Sequence, residues 1–266
     1  MADRTVIVGL GTFGLAIGRR INSLCMSDVI GVDIDADRRG VWTTLTRKAA
    51  YASVSNVSLD VATRLLIVVR SESDVDSVLH DLADSLRVCP DHAPITVYLM
   101  STISREFAVQ LEEKERVLGI KIIELPLTGG EVAALTGNLV AMAAGSLDEE
   151  ERTFMKRTIV SVIIDFKKFG EPAFAKLINN AVIGYQAATL NELLHIAEQN
   201  DLDPKAVLEV ISNGAASSYI SKAVMHYNDQ LLSKDIGLLK KTVDPLPEIN
   251  IDKMEQHFSS LRKLLR

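Results

Sequence analysis

The sequence predicts an α/β chain: a doubly wound, mainly parallel sheet, then one long helix, then an all-α remainder. Three observations carry this. Short β-branched runs alternate with helical stretches through the first two-thirds, as crossover units require. The runs are apolar at every position, as in Leu65-Leu66-Ile67-Val68-Val69, which suits a sheet covered on both faces. After Gly170 the strand signals stop, and from Pro172 to Gln199 only Gly184 interrupts the helix formers.

In chain order, strands are expected at Thr5–Val8, Val29–Val32, Leu65–Val69, Ile95–Leu99, Lys121–Glu124, Leu139–Ala143 and Val160–Phe166. Helices are expected between them near residues 12–24, 36–46, 73–87, 103–118 and 148–158. Pro172 suits the first position of the long helix, where a missing N–H costs nothing. That helix runs for roughly 27 residues, about 40 Å. Leu177, Ile178, Val182, Leu193, Ile196 and others wrap nearly its whole circumference, which predicts a buried helix. Lys176 and Asn180 nevertheless sit four apart on it, on one face. Asn200–Asp201 ends it; Asp203 caps the next helix with Pro204 behind it, and Gly214 stops that one. Helical pieces follow near 218–231 and 234–242. Pro245 and Pro247 then break the chain before an amphipathic helix at about Asp252–Leu265. Two domains are expected, 1–169 and 170–266, with the long helix as their joint.

Composition narrows the function. A chain of 266 residues that is 47% hydrophobic can fill a sizeable core. A net charge of −6 argues against nucleic acid as a main partner. Cys25 and Cys89 lie far apart without metal-type spacing, which suggests free thiols in a reducing compartment. His80, His92, His195, His226 and His257 form no cluster, so no metal site is expected. No signal peptide is expected, since Thr5–Val8 already reads as a strand, and the apolar runs are shorter than a membrane span. The expectation is a soluble cytoplasmic protein.

Gly9-Leu10-Gly11-Thr12-Phe13-Gly14 leaves the first strand and opens the first helix. In that context Gly9 makes the tight turn, Gly11 lets the backbone approach a pyrophosphate, and Gly14 lets helix and strand pack closely. The helix N-terminus, with Thr12 and Phe13 in its first turn, offers N–H donors to the anion. Asp33 ends the second strand, 19 residues after Gly14, where a carboxylate accepts hydrogen bonds from an adenosine ribose. These features define a Rossmann dinucleotide-binding unit. A carboxylate at Asp33 would repel a 2′-phosphate, which favours NAD over NADP. Arg38 and Arg39 are within reach of such a phosphate, although a solvated helix face is their plainer role.

Four further segments complete the pattern: Met100-Ser101-Thr102-Ile103-Ser104, Glu124-Leu125-Pro126-Leu127-Thr128-Gly129-Gly130-Glu131, Lys176-Leu177-Ile178-Asn179-Asn180 and Ser233-Lys234-Asp235. With the glycine loop, and in this order over nearly the whole length, they resemble the β-hydroxyacid dehydrogenase family, typified by 3-hydroxyisobutyrate dehydrogenase and tartronate semialdehyde reductase. The resemblance implies an NAD(P)-dependent enzyme interconverting a short 3-hydroxyacid and its semialdehyde, with a helical domain like that of 6-phosphogluconate dehydrogenase. It implies that Thr128, Gly129 and Gly130 hold a substrate carboxylate, that Lys176 is the general acid/base and that Asn180 orients the substrate. It puts Thr102 and Lys234 beside the cofactor. Val69 and Arg70, at the end of the third expected strand, are expected there too, and Asn179, Ser101 and Glu192 are candidates around the site. Thr128 replaces the family's serine, Arg70 an apolar residue and Arg105 a proline, and the stretch from Asn213 to Lys234 is short.

The residue chemistry agrees. Oxidising an alcohol requires a base for its proton, and a lysine whose pKa is lowered by burial can serve. A diglycine turn offers N–H groups to a carboxylate. An imine or keto reductase of the same fold, or a non-catalytic NAD(P)-binding sensor or scaffold, is the alternative. The apolar helix predicts a homodimer or homotetramer.

Overall fold

The computed structural model describes residues 4–226, 229–248 and 254–265. β1 (Arg4–Val8), α1 (Thr12–Ser23), β2 (Asp28–Val32), α2 (Ala36–Thr46) and β3 (Ala50–Tyr51) form the first half of a sheet. β4 (Thr63–Ile67), α3 (Glu72–Val88), β5 (Ile95–Leu99), α4 (Arg105–Val109), α5 (Leu111–Leu118) and β6 (Lys121–Glu124) form the second half. The six strands are all parallel, in the order β3-β2-β1-β4-β5-β6. The winding reverses between β1 and β4, so a crevice opens at the carboxyl ends of these two strands.

β4 begins two residues before the expected strand and stops at Ile67, because it pairs with β1 from Arg4↔Thr63 to Val8↔Ile67. Beyond that β1 has turned away at Gly9, and Val68 and Val69 belong to the rim. The helix expected near 103–118 is divided at Gln110 into α4 and α5.

β7 (Leu127–Thr128), α6 (Gly130–Thr136), β8 (Leu139–Ala143), α7 (Glu149–Thr158) and β9 (Val160–Asp165) follow. The last two expected strands therefore do not extend the main sheet. With β7, which was not expected, they form a second sheet, β7-β8-β9, joined to the first by a bridge between Glu124 and Ala144. Arg64 on β4 fastens α7 to the main sheet: its Nε donates to Glu151 at 2.9 Å, and its guanidinium lies 4.0 Å from the Phe154 ring centre. The Tyr98 hydroxyl donates to the same carboxylate, and burial raises the pKa of that phenol.

Side chains alternate across the main sheet, Val6 and Val8 entering one apolar cluster and Ile7 the other. The rest is helical: α8 (Glu171–Gln199), α9 (Pro204–Asn213), α10 (Tyr219–Ala223), α11 (Asp229–Lys240) and α12 (Met254–Leu264). Asp203 caps α9, accepting from the Lys205 N–H at 3.0 Å. One continuous α11 spans the break expected near residue 232, and the expected start of the last helix at Asp252 lies outside the described residues.

The all-round burial expected of α8 is not observed. Leu177, Asn180, Ala181 and Leu190 are buried, but Ile178, Val182, Leu193 and Ile196 are 47–53% exposed. Among the described residues, the apolar cluster that α8 shares with the neighbouring helices has Leu177, Ala181 and Leu239 buried. Among the described residues no helix is long and apolar enough to cross a membrane. Cys25 and Cys89 are both free and exposed.

Candidate active site

Backbone crowding explains the glycine loop. Gly9 has φ +94°, and a Cβ there would lie 2.4 Å from the Val68 carbonyl oxygen. A Cβ on Gly14 would lie 1.9 Å from the Gly9 carbonyl oxygen, so loop and helix meet only because both positions are glycine. Gly11 caps α1 without a side chain, and the space above it is open to 3.9 Å, where an Arg38 nitrogen stands. The first turn of α1 holds no acid, which suits an anion at that helix end.

Asp33 follows β2 and is buried. Its Oδ2 accepts from the Leu10 N–H at 2.7 Å, and its Oδ1 accepts from the Asp35 N–H at 2.9 Å. The carboxylate is thus locked beside the loop. Arg38 Nη1 stands 3.6 Å from the same Oδ2, while Arg39 donates to the Asp33 carbonyl at 2.7 Å.

The neighbouring strand ends complete this rim. The Val69 N–H donates to Ser101 Oγ at 2.9 Å, tying the end of β4 to that of β5. Lys234, from α11, reaches both: its Nζ donates to the Arg70 carbonyl at 3.0 Å and to the Thr102 carbonyl at 3.4 Å.

On the helical side, α8 carries the lysine. Lys176 Nζ donates to Asn180 Oδ1 at 3.0 Å, one turn further along. Asn180 Nδ2 donates to Asp235 Oδ2 at 2.7 Å, and Asp235 Oδ1 stands 3.2 Å from Lys234 Nζ. Asn179 Nδ2 donates to Thr128 Oγ1 at 3.3 Å and to Asn180 Oδ1 at 3.1 Å. Thr128 opens the diglycine turn, whose Gly129 and Gly130 have φ +133° and +77°.

Polar contacts therefore run unbroken from Arg70 and Thr102 through Lys234, Asp235 and Asn180 to Lys176 and Thr128. Burial lowers the pKa of Lys176 to about 8, with Asp235 opposing the shift and Lys234 adding to it. Glu192 is not part of the set: it lies exposed further along α8.

Three residues of this neighbourhood had no role assigned from sequence. Asp235 stood in the Lys-Asp pair, but its partner Asn180 lies 55 positions away. Glu124 is a lone carboxylate in the apolar run Ile122-Ile123-Glu124-Leu125, and a charge there demands partners. Its Oε2 and Oε1 accept from the Gly170 and Ala173 N–H groups at 2.6 Å each, and burial pushes its pKa up to about 7. Tyr219 gave no sequence signal; its hydroxyl oxygen lies 2.2 Å from where a Gly130 Cβ would be, so a side chain at 130 would have to displace it, while the φ of +77° there favours glycine in any case.

Comparison with known proteins identifies the family. A family profile described as the NAD binding domain of 6-phosphogluconate dehydrogenase matches residues 4–156, more than half the chain. A second, described as NAD-binding of NADP-dependent 3-hydroxyisobutyrate dehydrogenase, matches residues 170–244. The chain belongs to the β-hydroxyacid dehydrogenase family.

Relatives in this family include an uncharacterised oxidoreductase of Synechocystis, 26% identical over 98% of this chain and 93% of that protein. The L-threonate dehydrogenase of Haemophilus influenzae is 21% identical over 90% of this chain and 82% of its own length. The crystal structure of 3-hydroxyisobutyrate dehydrogenase from Salmonella typhimurium matches with a TM-score of 0.77 at 23% identity, covering 92% of this chain and 89% of that one. The β-hydroxyacid dehydrogenase assignment makes the protein an oxidoreductase with an NAD(P)-binding Rossmann fold.

Proposed function

We propose that this protein interconverts a short 3-hydroxyacid and its semialdehyde, with Lys176 as general acid/base. The observation that carries the reading is the joining of Lys176, Asn180 and Thr128 through Asn179, and its continuation through Asp235 and Lys234 to the carbonyls of Arg70 and Thr102. The close-packed Gly9 and Gly14, the uncapped end of α1 and the locked Asp33 fit a dinucleotide. When bound, that cofactor supplies a hydride acceptor or donor.

The chain's own residues handle the substrate and its proton. Thr128 Oγ1 and the N–H groups of Gly129 and Gly130 receive the carboxylate. Neutral Lys176 takes the hydroxyl proton during oxidation, and the ammonium returns it during reduction. With a pKa of about 8 both forms are well populated near neutral pH. Oxidation therefore gains rate as pH rises through about 8, and reduction loses it. Asn180 Oδ1 holds one Nζ hydrogen and so aims the amine.

NAD is the proposed cofactor, because the Asp33 carboxylate occupies the place a 2′-phosphate would need. Incubating the protein with NAD or NADP and a panel of 3-hydroxyacids tests the reading. Reduction of NAD by at least one member is expected; tight NAD binding without turnover of any member would instead favour a sensor.

The half-exposed stripe Ile178, Val182, Leu193 and Ile196 supports a homodimer as the working form. So small a buried cluster in the helical part leaves this apolar face to a second copy. Sedimentation should give twice the chain mass, and Leu193→Asp should halve it; a monomeric wild-type protein would remove this proposal.

A further inference from the structure

The first turn of α8 has no cap of its own. Gly170, in the left-handed region at φ +89°, offers no side chain, and Pro172 has no N–H. A helix start leaves backbone donors without intrahelical partners, and buried ones need acceptors. Their accounting here is complete. Glu171 N–H donates to the Lys168 carbonyl at 3.2 Å, while Gly170 and Ala173 both donate to Glu124 at 2.6 Å. A capping box normally closes within a few consecutive residues; here one carboxylate, 46 positions upstream, serves both donors.

Glu124 is itself fixed. Its N–H donates to the Ala144 carbonyl at 3.0 Å, the Ala144 N–H donates back at 3.0 Å, and the next residue, Leu125, donates to Leu99 at 2.8 Å. The residue therefore stands where both sheets and the start of α8 meet, and its side chain is buried. Four residues after it comes Thr128; three residues after Ala173 comes Lys176. The peptide from 124 to 128 is thus tied to α8 twice, by Glu124 at one end and by the Thr128–Asn179 bond at the other.

We propose that Glu124 is a positioning residue, which sets the register of the lysine-bearing helix against the diglycine turn. The inference rests on the dehydrogenase reading for its functional consequence, and on the hydrogen bonds alone for the docking. Displacements of about 1 Å between reacting groups are enough to cost rate heavily. A slip of the first turn of α8 would carry Lys176 away from a substrate held at Thr128–Gly130. It would also loosen the burial that, with Asp235 and Lys234 facing the amine, sets its proton affinity.

The test compares the wild-type protein with Glu124→Gln, which keeps size but has one acceptor where two are needed. Three quantities are read: amide exchange of the peptide containing Gly170 and Ala173, the pH dependence of Lys176 acylation followed by mass spectrometry, and kcat on any 3-hydroxyacid the wild-type protein turns over. Expected are faster exchange, an acylation midpoint moved up from about 8, and a kcat about tenfold or more lower with unchanged NAD affinity. A variant with the wild-type midpoint and kcat would overturn the proposal, even if its exchange were faster, since docking alone is then structural. NAD affinity and circular dichroism identify a variant that has not folded; Glu124→Asp, which keeps both acceptors but shortens the reach, then takes its place. If the wild-type protein oxidises no hydroxyacid, the dehydrogenase reading fails, while exchange and acylation still judge Glu124.

Discussion

Asn180 donates through Nδ2 to Asp235 Oδ2 at 2.7 Å, and this bond decides which end of the amide Lys176 meets. Asp235 can only accept, so Nδ2 must face it and Oδ1 must face the lysine. The same carboxylate holds the proton affinity of Lys176 up against the effect of burial. Asp235→Asn removes that charge and lets the amide turn either way. The pH profile of oxidation should then show its rise below the wild-type position near 8, with kcat several-fold lower by about 1 kcal/mol of lost orientation. A rise that stays in place or moves upward would show that Asp235 does not act on the lysine.

Cofactor choice turns on Asp33 and Arg38, which stand 3.6 Å apart beside Gly11. Asp33→Ala removes the acceptor for a ribose and frees Arg38 to meet a phosphate. The ratio of kcat/KM for NAD over NADP should fall by about tenfold, ~1.4 kcal/mol. Arg38→Ala added to it should reverse the gain in NADP use. Unchanged selectivity in Asp33→Ala would contradict the assignment of this carboxylate to the ribose.

Arg64 and Glu151 form a buried pair, with side chains 5% and 10% exposed. Removing the cation would leave a carboxylate in the core facing the Tyr98 hydroxyl. Arg64→Ala should therefore cost about 3–5 kcal/mol of stability, measured by urea unfolding, without altering cofactor preference. A loss under about 1 kcal/mol would mean that water reaches Glu151 readily once the arginine is gone.

The glycine loop, the acid after β2 and the long helix were legible because each depends on local chemistry: tight φ angles, a strand end, a proline at a helix start. Helical spacing put the lysine and asparagine on one face, and the resemblance of the Lys-x-x-Asn-Asn segment to the family marked them as a candidate site. What could not be read is what lies far apart in the chain. Glu124 meets Gly170 and Ala173, and Asp235 meets Asn180, only after the sheets and helices have packed. The partial exposure of α8 was missed for a related reason. Its composition is apolar all round, but how many helices surround it is a property of the whole chain. The small second sheet escaped because β8 and β9 carry the same apolar pattern as the strands of the main one.

The central claim is that Lys176 moves the substrate proton, and the most direct measurement is single-turnover oxidation of a 3-hydroxyacid by Lys176→Ala alongside NAD binding by the same variant. Loss of a positioned acid/base should lower the rate by about 10²–10⁴-fold while NAD affinity stays within about twofold. A variant that binds NAD normally and keeps more than about half the wild-type rate would remove Lys176 from the chemistry.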